Sequence, residues 1–291
     1  MTPKPRWRAS GADIEAIVSG RHGDPFGILG LHLYGEIWVA RVFIPGARAV
    51  TLSGTAAKFE CRHPAGFFEG AVSISGRHPL TYEAINNGVR WTVTDPYCFG
   101  PVLGPLDDYY LAEGTHLRLH DKLGAHVLRH EGYDGVHFAV WAPNAARVSV
   151  VGDFNGWDGR CHAMRKPQDT ALWEIFIPGA REGQAYKYEI TTGDGKLLPL
   201  KSDPYGFHAE LRPKTASLIA EIGNFTWTDQ LYLDARAASD HRRAPVSIYE
   251  VHLGSWKRKA DNGFLTYDEL ADDLIRYVTE MGYSHIELLP I

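Results

Sequence analysis

The sequence predicts a mainly β, multi-domain protein: two tandem immunoglobulin-like β-sandwiches, then the first strand–helix–strand of a truncated (β/α)8 TIM barrel. Three observations predict it. One pattern of strands and turns occurs twice at nearly constant spacing; an amphipathic helix between strand-like runs occurs once, near the end; and the chain closes on the apolar run "SHIELLPI" (284–291) with no turn after it. Short strands separated by turn residues mark a sandwich, whereas strand–helix–strand is the unit of a parallel sheet.

The first element is a short helix over Ser10–Ser19. Ser10 can cap it, Ile14, Ile17 and Val18 share a face, and Gly20 ends it. The repeat follows. "WVARVFIPGARAVTLSG" (38–54) resembles "HFAVWAPNAARVSVVGD" (137–153), each a strand, a turn on Pro45 or Pro143, then an alternating strand. "FFEGAVSISG" (67–76) answers "LWEIFIPGA" (172–180), "LTYEAINNG" (80–88) answers "YKYEITTGDG" (186–195), and both copies close on Asp-Pro-Tyr. The offset drifts only from 98 (Pro45 to Pro143) to 108 (Asp95 to Asp203), and the drift falls in turns, where length changes are tolerated. Two sandwiches are therefore expected, over 1–105 and 106–228. Between them, residues 96–126 begin Pro/Gly-rich and then read as one or two short helices.

Residues 228–245 are a polar, partly helical stretch, and 229–245 is the expected connector to a third domain. "VSIYEVHLGSW" (246–256) reads as a strand ending in a βα loop. Thr266 with Glu269 forms a capping box, and Leu270, Leu274, Tyr277, Val278 and Met281 make one apolar stripe before Gly282. "SHIELLPI" then reads as a buried strand. A complete barrel takes roughly 250 residues, so 246–291 is expected to be only its start.

Bulk properties narrow the function. With 44% hydrophobic and 22% charged residues the chain is globular, and a net charge of −5 gives no reason to expect nucleic acid or an anionic membrane. No signal peptide is visible at the start, and no apolar run approaches about 18 residues. Cys61, Cys98 and Cys161 are odd in number and lack metal-ligand spacing, which suits a reduced, cytoplasmic setting. The histidines form no HExxH motif.

Two groups of residues are candidates for binding. The turn carrying Asn155, Gly156 and Trp157 can present an indole face to a pyranose ring while Asn155 supplies polar contacts; the alternative is that Trp157 packs within its own sandwich or on the barrel. His252, Ser255 and Trp256 sit at the C-terminal end of the first barrel strand, where barrel chemistry is found, and line a cleft or support one. Glu250, Glu287, Asp268, Asp272 and Asp273 are read as solvated or structural, not catalytic.

The segments "YEVHLGSW" (249–256) and "DELADDLIRYVTEMGYSHIELLPI" (268–291), after two sandwiches, resemble the start of the 1,4-α-glucan (glycogen) branching enzymes of the α-amylase superfamily. The linker "DPYCFGPVLGPLDDYYLAEGTHLRLHDKLGAH" (95–126) is similar to that family's segment between its N-terminal domains. "GVHFAVWAPNAARVSVVGDFNGWDG" (135–159) resembles the glycan-binding sandwich that precedes the barrel in branching and debranching relatives. The match covers nearly the whole chain. It implies cleavage of an α-1,4 bond with retention and transfer to a 6-hydroxyl, making an α-1,6 branch in glycogen. Glucan is then both donor and acceptor, with no metal or organic cofactor, and the enzyme is expected to be a monomer. Retention needs two carboxyl groups about 5–5.5 Å apart. In the family these lie on later barrel strands, beyond Ile291, so no residue of this chain is expected to be catalytic. The resemblance also implies that Lys187 of "QAYKYEI" contacts sugar beside Trp157. The chain departs from the binding pattern in "TTGDGKLLPLKSDP" (191–204), which offers no second Trp platform. Two other readings remain: a non-catalytic α-glucan-binding module, and a debranching or trehalose-releasing hydrolase of the same superfamily.

Overall fold

The computed structural model describes residues 7–55, 57–166, 171–223 and 225–290. It divides into two units at 224/225. The first opens with helix α1 (Gly11–Val18), which starts where Ser10 Oγ accepts the Asp13 amide at 3.1 Å. Gly20, at φ +66°, follows its last turn, and Ile14, Ile17 and Val18 are buried.

Seven strands follow: β1 (Gly30–Tyr34), β2 (Ile37–Phe43), β3 (Ala49–Leu52), β4 (Glu60–His63), β5 (Phe67–Val72), β6 (Thr81–Asn86) and β7 (Val89–Thr94). They form two antiparallel sheets, β1-β2-β5-β4 and β3-β6-β7. Alternation along each strand sends Ala40, Val42 and Phe68 from one sheet, and Val50, Tyr82 and Ala84 from the other, into one core. Helix α2 (Pro105–Glu113) then runs from Gly104 to Gly114, whose φ is +75°. The 3-10 turn Leu119–Asp121 leads out of it.

The next strands are β8 (Gly124–His130), β9 (Tyr133–Trp141), β10 (Ala145–Gly152), β11 (Leu172–Pro178), β12 (Ala185–Thr192), β13 (His208–Ala209) and β14 (Ser217–Leu218). Their sheets are β11-β9-β8 and β10-β12-β14-β13. The sequence repeat is thus a topological repeat: β1-β2-β5 answers β8-β9-β11, and β3-β6 answers β10-β12. Local structure repeats as well. Asp95 Oδ1 accepts the Tyr97 amide at 2.9 Å, and Asp203 Oδ1 accepts the Tyr205 amide at 2.8 Å.

Each copy also carries one glutamate on β5 or β11 that faces away from its core and is still only 1% exposed. Glu69 accepts the Ala9 amide at 3.0 Å beside Arg41 and Arg62. Glu174 accepts the Val102 and Leu103 amides at 3.1 and 3.2 Å and bonds His137 Nε2 at 2.9 Å. In both cases the segment leading into the sheets is pinned across the outer face of one of them. Burial would raise the Glu174 carboxyl, but His137 and the amides outweigh it and hold it below the usual range.

The second unit holds α3 (Gln230–Ala238), β15 (Ile248–Val251), α4 (Leu253–Trp256), α5 (Tyr267–Glu280) and β16 (His285–Leu288). β15 and β16 pair in parallel, from Ile248 opposite His285 to Val251 opposite Leu288. The capping box forms: Thr266 Oγ1 accepts the Glu269 amide at 3.3 Å, and Glu269 Oε2 accepts the Thr266 amide at 2.8 Å. Leu274 and Val278 pack on Val251. Two expectations are corrected here. The strand read over 246–256 is confined to Ile248–Val251, with "LGSW" in the helical turn α4, and β16 is exposed along its whole length instead of buried. Within this unit β16 has one strand neighbour, so its apolar side chains lack the cover that an α/β layer would supply.

Candidate functional site

β10 ends at Gly152 and the chain turns sharply through residues 153–159. Two successive residues, Gly156 and Trp157, are left-handed, at φ +61° and +63°. Glycine adopts this freely; for tryptophan it costs about 1–2 kcal/mol. The turn is fastened against that strain. The Trp157 amide donates to Gly152 O at 3.1 Å and to Asn155 Oδ1 at 3.2 Å, and the indole Nε1–H donates to Asp153 Oδ1 at 3.3 Å. Asn155 is the fastener: Oδ1 also accepts the Gly152 amide at 3.0 Å, and Nδ2 donates to Val150 O and His162 Nδ1, each at 2.9 Å. Its surroundings pull the His162 pKa down to about 4, mainly through desolvation, which leaves Nδ1 free to accept. The amide of Asn155 is therefore spent inside the loop, while the indole it positions is 38% exposed.

The floor beside the loop is the outer face of β10 and β12. Val148, Val150, Tyr186 and Tyr188 point into the core, so Arg147, Ser149, Lys187, Glu189 and Thr191 take the other face. Arg147 Nη1 pairs with Glu189 Oε1 at 3.0 Å. Arg147 Nη2 and Ser149 Oγ both donate to Gly159 O, the latter at 2.6 Å. A side chain at Gly159 would overlap the Glu189 carboxylate, so glycine is what lets the loop lie on this ion pair. Trp157, Arg147, Arg160, Glu189 and Thr191 line a cleft of about 560 Å³, joined by Ser19–Arg21 from the end of α1. Arg160 pairs with Asp158 at 2.6 Å, and that hydrogen bond holds the Asp158 carboxyl below its ordinary range.

Lys187 shares the outer face of β12 with Glu189, but its Nζ donates to Thr215 Oγ1 at 2.7 Å and it is not one of the cleft's lining residues. The sequence reading missed Arg147, Arg160, Glu189 and Arg21. Its one available signal was the arginine and serine alternating with apolar residues in "ARVSVV" (146–151).

In the second unit, His252 Nδ1 meets Ser255 Oγ at 3.0 Å, and His252 lines an apolar cleft of about 470 Å³ with Phe264, Leu265 and Leu270. Ser255 and Trp256 are not among that cleft's lining residues. Trp256 donates to Tyr249 OH at 3.0 Å and packs on Tyr277. Among the described residues no three His, Cys, Asp or Glu side chains converge to hold a metal ion, and no helix is long and apolar enough to cross a membrane.

Comparison with known proteins bears on this arrangement. Residues 10–97 match the family described as alpha-1,4-glucan branching enzyme GlgB, N-terminal domain. Residues 122–206, which contain the Trp157 loop and β12, match carbohydrate-binding module 48 (isoamylase N-terminal domain). The chain is 57% identical to the 1,4-alpha-glucan branching enzyme GlgB of Mesorhizobium japonicum, over 100% of this chain and 40% of that protein.

The chain is similar to the N-terminal part of GlgB proteins.

Two further GlgB proteins agree. That of Rhizobium meliloti is 55% identical over 99% of this chain, and that of Agrobacterium fabrum 56% identical over 96%. Against the GlgB relatives as a whole, the chain spans about 40% of their length. Trp157, strained and exposed, lies within the stretch that matches this module.

Proposed function

We propose that this chain is the glucan-binding front part of a 1,4-α-glucan branching enzyme. In this reading residues 1–105 and 106–228 are two immunoglobulin-like sandwiches, 229–245 a connector, and 246–291 the opening of a (β/α)8 barrel. The second sandwich holds an α-glucan chain, and the barrel cleaves and re-attaches it. The observation that carries the binding role is Trp157. A tryptophan is held in a left-handed backbone by four bonds of one asparagine, with its ring partly exposed beside a polar cleft. Strain of this kind persists where the surroundings enforce it, and it keeps a flat apolar face available to the C–H side of a glucose ring.

Asn155 acts here by shaping the loop. Lys187, engaged with Thr215, supplies a sugar contact only by exchanging that partner. Affinity electrophoresis of the 291-residue chain through glycogen tests the reading. With one aromatic platform, Kd is expected at about 0.1–1 mM, and Trp157→Ala should remove most of the retardation. A folded Trp157→Ala variant retarded like the parent would make Trp157 a packing residue. Incubated with amylose, this chain is expected to form no α-1,6 branches, since the family's carboxylates lie on later barrel strands. New reducing ends after debranching, above a blank, would refute that.

A further inference from the structure

The cleft beside Trp157 is lined by the second sheet pair and by the end of α1, and the segments flanking the first sheet pair are fastened to the second beside it. The Tyr97 hydroxyl donates to Cys161 O at 3.0 Å and accepts the Ala163 amide at 3.0 Å. Arg165 lies over the Phe26 ring at 3.8 Å and donates to Phe99 O at 2.5 Å. The end of α1 touches the base of the Trp157 loop directly: a Cβ on Gly20 would stand 3.2 Å from Arg160 Cγ and 3.6 Å from Arg147 Nη2. Arg21 follows Gly20. It is exposed, its Nε donates to Ser19 Oγ at 3.0 Å, and Ser19 Oγ is anchored on Glu15 O at 2.5 Å. Among the described residues its two Nη groups meet no acceptor. Glu189 is the complement: Arg147 engages Oε1, and Oε2 accepts no hydrogen bond among the described residues.

We propose that the end of α1 completes the glucan site, with Arg21 Nη groups and Glu189 Oε2 bonding hydroxyls of the α-1,4-glucan that stacks on Trp157. This rests on the reading of Trp157 as a glucan contact and adds to it the residues that select the ligand. Adjacent equatorial hydroxyls of glucose present both lone pairs and O–H groups. A guanidinium offers only donors, in a rigid plane, and a carboxylate offers only acceptors, so the pair satisfies both halves of a diol. Each is already oriented from behind, Arg21 by Ser19 and Glu189 by Arg147, which limits the ordering lost on binding. The missing second Trp platform is then replaced by polar contacts, one of them from the preceding domain.

Affinity electrophoresis of the full 291-residue chain through graded glycogen tests this with Trp157→Ala, Arg21→Ala and Glu189→Gln, each checked by circular dichroism. The expected result is a loss of about tenfold for Trp157→Ala. Arg21→Ala and Glu189→Gln should each lose about fivefold, equivalent to about 1 kcal/mol for one hydrogen bond. Arg21 has no buried partner, so its variant reads binding and not folding. If Trp157→Ala weakens binding while Arg21→Ala and Glu189→Gln stay within twofold of the parent, the composite site is overturned and the Trp157 reading stands. If the parent and Trp157→Ala are retarded alike, both fall.

Discussion

Removing the Glu174 carboxylate should destabilise the second sheet pair more than almost any other single change to a polar residue. The side chain is 1% exposed and one oxygen, Oε2, receives three donors: the Val102 and Leu103 amides and His137 Nε2. In Glu174→Ala all three lose their acceptor. An unsatisfied buried donor costs about 1–3 kcal/mol. Water entering the vacated volume recovers part of this, so a net loss of about 3–4 kcal/mol is expected. For a unit of this size 1 kcal/mol moves the melting temperature by about 2–4 °C, which gives a fall of about 6–16 °C in a circular dichroism melt. The pH dependence should change as well. The folded Glu174 carboxyl sits below its unfolded value. Its contribution is therefore present above the unfolded pKa of about 4.3 and is lost as pH falls through the folded one. The parent should lose stability in that acid window and the variant should lose less. A Glu174→Ala melt within about 2 °C of the parent at pH 7 would refute the account, because it would mean that residues 102–103 are not held by this carboxylate.

Asp95 should behave in the opposite sense. It is fully buried, and burial lifts its pKa to about 7, so the folded state keeps its proton where the unfolded state, with a pKa of about 3.9, has lost it. Stability should fall as pH rises from about 4 to about 7, and Asp95→Asn should gain on the parent in melts at pH 8 while matching it near pH 4; parallel pH profiles would contradict this. The second unit exposes Ile248, Ile275, Ile286 and Leu288 at 53, 57, 38 and 46%, a strand edge and helix face of the kind that aggregates. A chain stopped at Asp229 should stay monodisperse at concentrations where the 291-residue chain associates, and equal light scattering from the two would argue against it.

Where the sequence could be read and where it could not follows from which forces are local. The Ser10 cap, the Thr266–Glu269 box and the Pro45/Pro143 turns depend on a few neighbouring residues, and these elements are where the pattern puts them. The Asn155-Gly156-Trp157 turn is visible for the same reason, while the bonds that Asn155 makes within the loop are not. Arg21 and Glu189 stand 168 residues apart in number and share a cleft through contacts between the two halves such as those of Tyr97 and Arg165; nothing in either local pattern announces it. β16 shows the converse, since an apolar run fixes a strand but burial depends on partners outside the run.

The two glutamates lie between these cases. Alternation reads Glu69 in "FFEGAV" and Glu174 in "LWEIFI" as outward positions, and outward normally means solvated. Both are buried, because a segment preceding each sheet pair crosses that face and donates its amides to the carboxylate. The cue was nevertheless present, because both copies place a glutamate at the third residue of an otherwise apolar strand. A charged residue at one repeat position in two divergent copies calls for a partner there, and the chain entering each sheet pair is the segment close enough to supply one. Read that way, the pair forecasts that each sheet pair is sealed by the stretch before it, which is the arrangement that carries α1 to the Trp157 cleft.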